Sequence, residues 1–406
     1  MPTTPLAPAA LQRALWMARL YYFGFYAGLG GLFSFFNIFL QERGMSGTQI
    51  GLISALPPIV ALISNPFWGA VADRWRAHQR VLALLAITSG VASLTFIWIS
   101  GFWALLAISC IVTFFRTPIM AIVDAMVMSI IARNPDVNYG PQRVFGSFGW
   151  ILFSLSAGYV VTYFSINMIF IFHFVMLAGM CGLLSLKLPV EPRTADAIDY
   201  VAGLRAMLRM PSYRALLFFM VCFGAAMAGA LNFVGINVMR LGGAATLIGL
   251  TNAVSAIVEV PVLFLGPIWF RRVSYRTTIW LSGTGFAIVW LLAALATEAW
   301  HITVAAAIMG VFFGLVWTAV VSFANARAPD GMRASAQTFA QAAHGGLGLA
   351  LGSFASGILW DWASAPAVYL FAGATIAAGT LVFIRGTTAR ATNLEKAQAQ
   401  PGVTPV

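Results

Sequence analysis

The chain predicts an all-α membrane protein, twelve transmembrane helices in two pseudo-symmetric six-helix bundles, and three observations predict it. Of its 406 residues 60% are hydrophobic and 9% charged, a balance outside the range of soluble globular domains. Apolar runs of about 20 residues, enough to cross about 30 Å of hydrocarbon, recur along the whole length and lack the two-residue alternation of porin strands. The charges gather between those runs. Arg116, Asp124, Arg143, Glu259 and His344 lie inside them, where an ionisable group normally faces a polar cavity and a partner.

The spans follow in order. The first six lie near 16–41, 47–72, 80–100, 103–132, 140–163 and 166–187; the second six near 213–240, 244–270, 276–297, 300–327, 332–360 and 364–385. Residues 1–15 carry Pro2, Pro5 and Pro8 but no short apolar core with a small-residue cleavage site, so no removable signal peptide is expected. Residues 1–187 form the N-terminal bundle. Residues 188–212, with Pro189, Glu191, Pro192, Arg193, Asp196, Asp199, Arg205 and Arg209, form a cytoplasmic linker, of which 197–210 suits a short surface helix. Residues 213–385 form the C-terminal bundle, and the polar stretch 386–406 is a disordered cytoplasmic tail.

Orientation follows from the arginines. With both termini in the cytoplasm, the only Lys or Arg residues outside cytoplasmic segments are Arg43, Arg116, Arg143 and Arg240, out of 23. The net charge of +11 therefore reports topology and contact with anionic membrane lipid, and no basic and aromatic module for nucleic acid is present. Cys110, Cys181 and Cys222 fall in separate spans and read as packed thiols. The glycine-rich runs sit within apolar helices and the histidines are scattered, so no phosphate loop, zinc spacing or nucleophile elbow marks an enzyme, and no cofactor or metal is expected.

Two six-helix halves joined by a cytoplasmic linker suggest a carrier with its site at the midplane between them. After the second span comes Gly69-Ala70-Val71-Ala72-Asp73-Arg74-Trp75-Arg76, which resembles the G-x-x-x-D-R-x-[GR] signature of the major facilitator superfamily. The resemblance implies the major facilitator fold and a conformational latch at Gly69, Asp73 and Arg74, in which Asp73 would accept from helix N-terminal amides or a basic side chain. After the eighth span Gly266-Pro267 is followed by Arg271, Arg272 and Arg276 without the acid.

Within that superfamily the first 165 or so residues resemble the branch of lactose, nucleoside and phenylpropionate permeases. The resemblance rests on Phe35-Phe36-Asn37-Ile38-Phe39-Leu40, on 66–73, and on Tyr139-Gly140-Pro141-Gln142-Arg143-Val144-Phe145-Gly146-Ser147-Phe148-Gly149-Trp150. It implies that Arg143 bonds solute hydroxyls and pairs with an acid on helix four, where Asp124 stands, and that Trp150 stacks on the solute ring. Spacing supports the same site, since Arg143 and Trp150 lie seven positions and about two turns apart on one helix face, with Gly146 between them leaving room for a ligand.

Arg116, near the midplane of helix four, has no counterpart in lactose permease and could recruit a carboxylate or phosphate, or pair with Asp124 or Glu259. In the second half Asn252, Ser255 and Glu259 form one polar stripe, and Gln337, Gln341 and His344 another. Glu259 is the candidate proton carrier, with Asp124 and His344 as further coupling groups, because desolvation in a closing cavity favours the neutral acid. Helix ten contains no acid within the membrane, unlike lactose permease. Tyr22, Tyr26, Phe33 and Asn37 on helix one and Trp317 on helix ten either line the cavity or pack.

The expectation is a secondary transporter, a proton-coupled symporter taking up a small organic solute such as a sugar or nucleoside by alternating access. Its binding residues are Asp124, Arg143, Trp150, Arg116, Asn37, Tyr26, Gln341, His344, Trp317 and Asn252. The alternatives are proton-coupled uptake of an aromatic carboxylate, with Arg116 and Arg143 as anion ligands, and an efflux antiporter. A monomer in a bacterial-type inner membrane completes the expectation, with solute, proton and lipid as partners.

Overall fold

A computed structural model describes residues 7–134, 136–188, 205, 207–328 and 332–387. Ten helices come first: α1 Pro8–Glu42, α2 Gly47–Trp75, α3 His78–Leu94, α4 Phe102–Arg133, α5 Gly140–Tyr163, α6 Met168–Ser185, α7 Pro211–Arg240, α8 Ala245–Phe270, α9 Tyr275–Ala294 and α10 Ala299–Arg327. A last helical run, Ser335–Gly386, has 52 residues. At about 1.5 Å per residue it would extend about 78 Å, far more than one bilayer needs. It is broken at Ser364, where φ is 65° and ψ is −167°, with Pro366 in the first turn that follows. The break gives α11 (333–363) and α12 (365–386), so the described residues contain twelve membrane-length helices. Most of the linker and nearly all of the tail fall outside the described residues; of the expected surface helix, Met207 is fully buried.

Local chemistry accounts for the ends. Proline occupies the first turn of α1, α5 and α7, where a missing N–H costs nothing. Ser46 and Gln49 close a capping box at the start of α2. Arg43 donates to the carbonyls of Ile97 and Ile99 at 2.8 Å, tying the end of α1 to the end of α3. Exposed Trp98, Trp103, Phe164, Trp300 and Trp362 ring one face and Trp16 and Trp75 the other, as aromatic belts do at the two interfaces.

One face carries the turns 43–46 and 241–244, with few arginines. The other carries Arg74, Arg76, Arg80, Arg271 and Arg272. On the arginine-poor face the two halves meet at close range across glycines. A Cβ on Gly51 of α2 would lie 2.6 Å from the Ser353 carbonyl of α11, one on Gly158 of α5 2.8 Å from the Ala245 carbonyl of α8, and one on Gly235 of α7 2.9 Å from Ile38 of α1. Glycine is the residue that permits this approach. Asn37 donates to the Asn232 carbonyl at 2.8 Å across the same seam. Asp361 at the end of α11 accepts from Gly47 N, Thr48 N and Thr48 Oγ, each at 2.7 Å, capping α2 from the opposite half. On the arginine-rich face, a Cβ at Gly69 or Gly140 would meet nothing within 4 Å, and the halves part there.

Candidate functional site

The cleft between the halves opens toward the arginine-rich face and ends at the Asn37 seal. On its N-terminal wall Asp124 of α4 accepts from Tyr22 OH at 2.6 Å and from Tyr139 OH at 2.9 Å. Burial and then the Asp124 charge push the Tyr139 phenol up to about 12, so it remains a donor to the carboxylate. Arg143 of α5 donates to Tyr26 OH, and its guanidinium lies 4.1 Å from the Tyr26 ring centroid and 5.5 Å from that of Tyr22. The expected direct Arg143–Asp124 pair is replaced by two tyrosines that stand between the charges.

Gly146 sits where spacing places it, but the space it leaves is filled from within. A Cβ there would come 2.7 Å from Arg143 Nη1 and 2.8 Å from Tyr26 Cδ2, so the glycine lets the arginine fold onto the α1 tyrosine. Trp150, two turns along α5, packs its ring 6.1 Å from Phe33. Phe33 is 56% exposed although α1 is mostly buried. Tyr26, Phe33 and Asn37 therefore follow one another up the same face, from the arginine toward the seal. The α1 stripe lines the cleft at Tyr26 and Phe33 and closes it at Asn37.

The C-terminal wall divides its residues. Glu259 of α8 lies against Gly314 of α10 and within electrostatic reach of Arg143 across the cleft. Among the described residues it has no ion pair. Trp317 and His344 come together, their rings 5.0 Å apart and each beside Phe223. The His344 Nε2 is buried without a hydrogen-bond partner, on a π-helical stretch of α11, Ala343–Gly348. Asn252 turns its amide back to the Ile248 carbonyl at 3.1 Å and lines a small internal cavity with Thr251, Trp290 and Tyr369. Gln341 is exposed. Asn252, Trp317 and His344 thus belong to the interior packing of the second half, away from the tyrosine–arginine group.

Of the latch residues, Asp73 accepts from His78 Nε2 at 2.9 Å, a neighbour in its own half, and is 57% exposed. Gly69 faces open space and Arg74 is exposed. Among the described residues nothing joins these three to the opposite half. Arg116 touches neither Asp124 nor Glu259 as an ion pair; it lies over the Phe33 ring at 5.1 Å.

Tyr22 is among the helix-one candidates of the sequence and Tyr139 opens its α5 run, but neither is assigned there to Asp124, the contact the structure shows. His173 is the residue that sequence reasoning missed. His173 is a single imidazole in an apolar span, with nothing in the pattern to distinguish it. Among the described residues no His, Cys, Asp and Glu group could hold a metal.

The twelve-helix fold agrees with what the chain is similar to. Residues 15–371 match the model of the MFS_1 like family. The chain is 26% identical over 363 residues to the uncharacterized transporter YwbF of Bacillus subtilis (strain 168), covering 88% of this chain and 90% of that one. It is 25% identical over 367 residues to the maltose permease of Geobacillus stearothermophilus, covering 90% and 92%. The crystal structure of a point mutant of the nucleoside transporter NupG superposes with a TM-score of 0.81 at 16% identity, over 92% of this chain and all of the other, a likeness of fold.

Proposed function

The chain belongs to the MFS_1 like family of transporters, and from that premise we propose that it is a proton-coupled symporter that takes up a small ring-bearing organic solute. The size class is that of the sugars and nucleosides named for its relatives. The observation that carries this reading is the pairing of walls: Tyr26, Arg143 and Trp150 line one side of the cleft, and an acid without an ion pair, Glu259, faces them from the other. The arginine-rich face is assigned to the cytoplasm by the distribution of charge, which makes the conformation described the one open for release.

Each group then has a task. Solute entering from the outside meets the guanidinium of Arg143 and the ring of Trp150, which fix its polar edge and its face. Glu259 carries the proton: as a bare anion its enclosure between apolar helices is costly, and protonation removes that cost, so the loaded carrier closes only when the acid is neutral. Release of both toward the cytoplasm reopens the charged site to water. Asp124, held by two phenols, keeps Tyr22 and Tyr139 in place beside Arg143.

The test is transport in proteoliposomes under an imposed pH gradient, with Glu259→Gln as the diagnostic variant. It mimics the protonated acid, so solute exchange across the membrane persists while gradient-driven accumulation is lost. Full accumulation by Glu259→Gln would remove this residue from coupling.

A further inference from the structure

The C-terminal bundle encloses a small cavity beneath the arginine-poor face, where α7, α8, α9, α10 and α12 meet. Its polar lining is Thr251 and Asn252 of α8, Trp290 of α9 and Tyr369 of α12, and Ala306 of α10 is part of its apolar wall. Trp290 Nε1, a group that can only donate, is buried without a hydrogen-bond partner. Tyr369 is fully buried. Its hydroxyl oxygen accepts from Asn237 Nδ2 at 3.5 Å, and among the described residues its own proton has no acceptor. Asn252 gives its amide to the Ile248 carbonyl at 3.1 Å, which leaves Oδ1 unused. Thr251 Oγ donates to the Leu247 carbonyl at 2.7 Å and lies 2.8 Å from Thr303 Oγ, which leaves it one lone pair. Buried polar groups are seldom left unpaired, and four of them border this one cavity.

We propose that this cavity is the binding site of one structural water, which accepts from Trp290 Nε1 and Tyr369 OH and donates to Asn252 Oδ1 and Thr251 Oγ. Two spare donors and two spare acceptors are the complement of a single water molecule. The cavity volume of about 20 Å³ agrees, since one water needs about 10–15 Å³ of such space. The same set of groups rejects ions. A cation would meet the Trp290 and Tyr369 hydrogens and a halide the Asn252 oxygen, with no charged side chain in the lining to offset either. The bound water ties α8 to α9 and α12. It keeps Asn252 inside the bundle, and it makes the outer end of α8, where Ala245 meets Gly158 of the other half, move with its own bundle as one body. The tie lies about 10 Å along α8 from Glu259, two helical turns away. The site takes no part in solute binding and does not depend on the coupling scheme above.

The experiment is magnetisation transfer from water to indole protons by NMR, on the purified full chain carrying isotope-labelled tryptophan. The Trp290 resonance is identified by its loss in Trp290→Phe or, if that variant does not fold, in Trp290→Tyr. The expected result is a direct cross-peak between the Trp290 indole proton and water that persists in Tyr369→Phe, where no exchanging hydroxyl can relay it. Ala306→Val fills the cavity and displaces the water, so the cross-peak disappears and Tm falls. With Trp290→Phe and Tyr369→Phe already in place, Ala306→Val lowers Tm by a smaller amount, because the stranded donors are gone. A missing wild-type cross-peak overturns the inference, as does a rise in Tm on Ala306→Val, the response of a dry apolar cavity to filling. An equal fall in both backgrounds is crowding and overturns it too. A Trp290 resonance that moves on addition of sodium bromide marks an ion site and likewise overturns it. Should the combined variant not fold, the wild-type cross-peak decides alone.

Discussion

Asp361→Ala should weaken the seal on the arginine-poor face without disturbing either half. The carboxylate accepts from Gly47 N, Thr48 N and Thr48 Oγ, each at 2.7 Å, while Gln49 N is already satisfied by Ser46 of its own half. The first turn of α2 thus draws two of its backbone partners from the opposite bundle. Removing a helix N-cap costs about 0.5–2 kcal/mol, and because Asp361 is exposed the lower part of that range applies, about 1 kcal/mol after screening. Only the closed form loses it, since in the open form water serves both the amides and the carboxylate. The equilibrium between the two forms therefore moves about fivefold toward the open one. Spin labels at exposed positions 42 and 240, in a background with Cys110, Cys181 and Cys222 replaced by alanine, report the separation of the halves by double electron–electron resonance. A long-distance population unchanged by Asp361→Ala would refute the reasoning, and a change in the distances within either half would show that the residue supports a bundle instead.

Other expectations are shorter to state. Arg143→Lys keeps the charge but not the planar fork held against Tyr26, so solute affinity in the correctly folded variant falls about 10- to 100-fold, the equivalent of a lost charged hydrogen bond at about 1.5–3 kcal/mol; unchanged affinity by titration removes Arg143 from the site. Tyr22→Phe deletes the 2.6 Å bond to Asp124 and leaves Tyr139 as the one phenol on that carboxylate, costing about 1–3 kcal/mol of stability because the acceptor is charged; a Tm equal to wild type would mean that the tyrosine is not what holds the aspartate. Ser364→Gly relieves a backbone conformation at φ 65° and ψ −167° that favours glycine, so it raises stability by about 1 kcal/mol, read as a higher Tm with transport unchanged.

Much of the fold is legible in the residues because the bilayer supplies a length scale: each apolar run maps to one helix. The boundaries diverge where charge is tolerated beyond the hydrocarbon. α1 begins at Pro8 rather than near 16, and α2 continues to Trp75 rather than 72, since headgroup-level helix needs no apolar face. The site is legible along a single helix and fails between helices. Spacing along α5 places Arg143, Gly146 and Trp150 on one face, but no pattern within α4 or α5 says that Tyr22 of α1 will reach Asp124 before Arg143 does. The stripe of Asn252, Ser255 and Glu259 likewise shares a face, yet Asn252 folds back onto its own helix while Glu259 looks across at the other half. His173 could not be seen, because a satisfied Nδ1 and an unsatisfied Nε2 differ only in three dimensions.

The glycine seam on the arginine-poor face bears on how the carrier moves. Its glycine contacts are short-ranged, carbonyls against Gly51 and Gly158 and the Ile38 side chain against Gly235, and among the described residues no ion pair crosses it. Dispersion attraction of this kind fades within an ångström of separation, whereas an ion pair pulls over several. The halves can therefore come apart one helix pair at a time, α2 from α11, α5 from α8 and α1 from α7, each step releasing a small part of the whole. Apart from the charged cap that Asp361 places on α2, opening of that face should depend little on ionic strength, and the work of a transport cycle is divided among several low barriers in place of one high one.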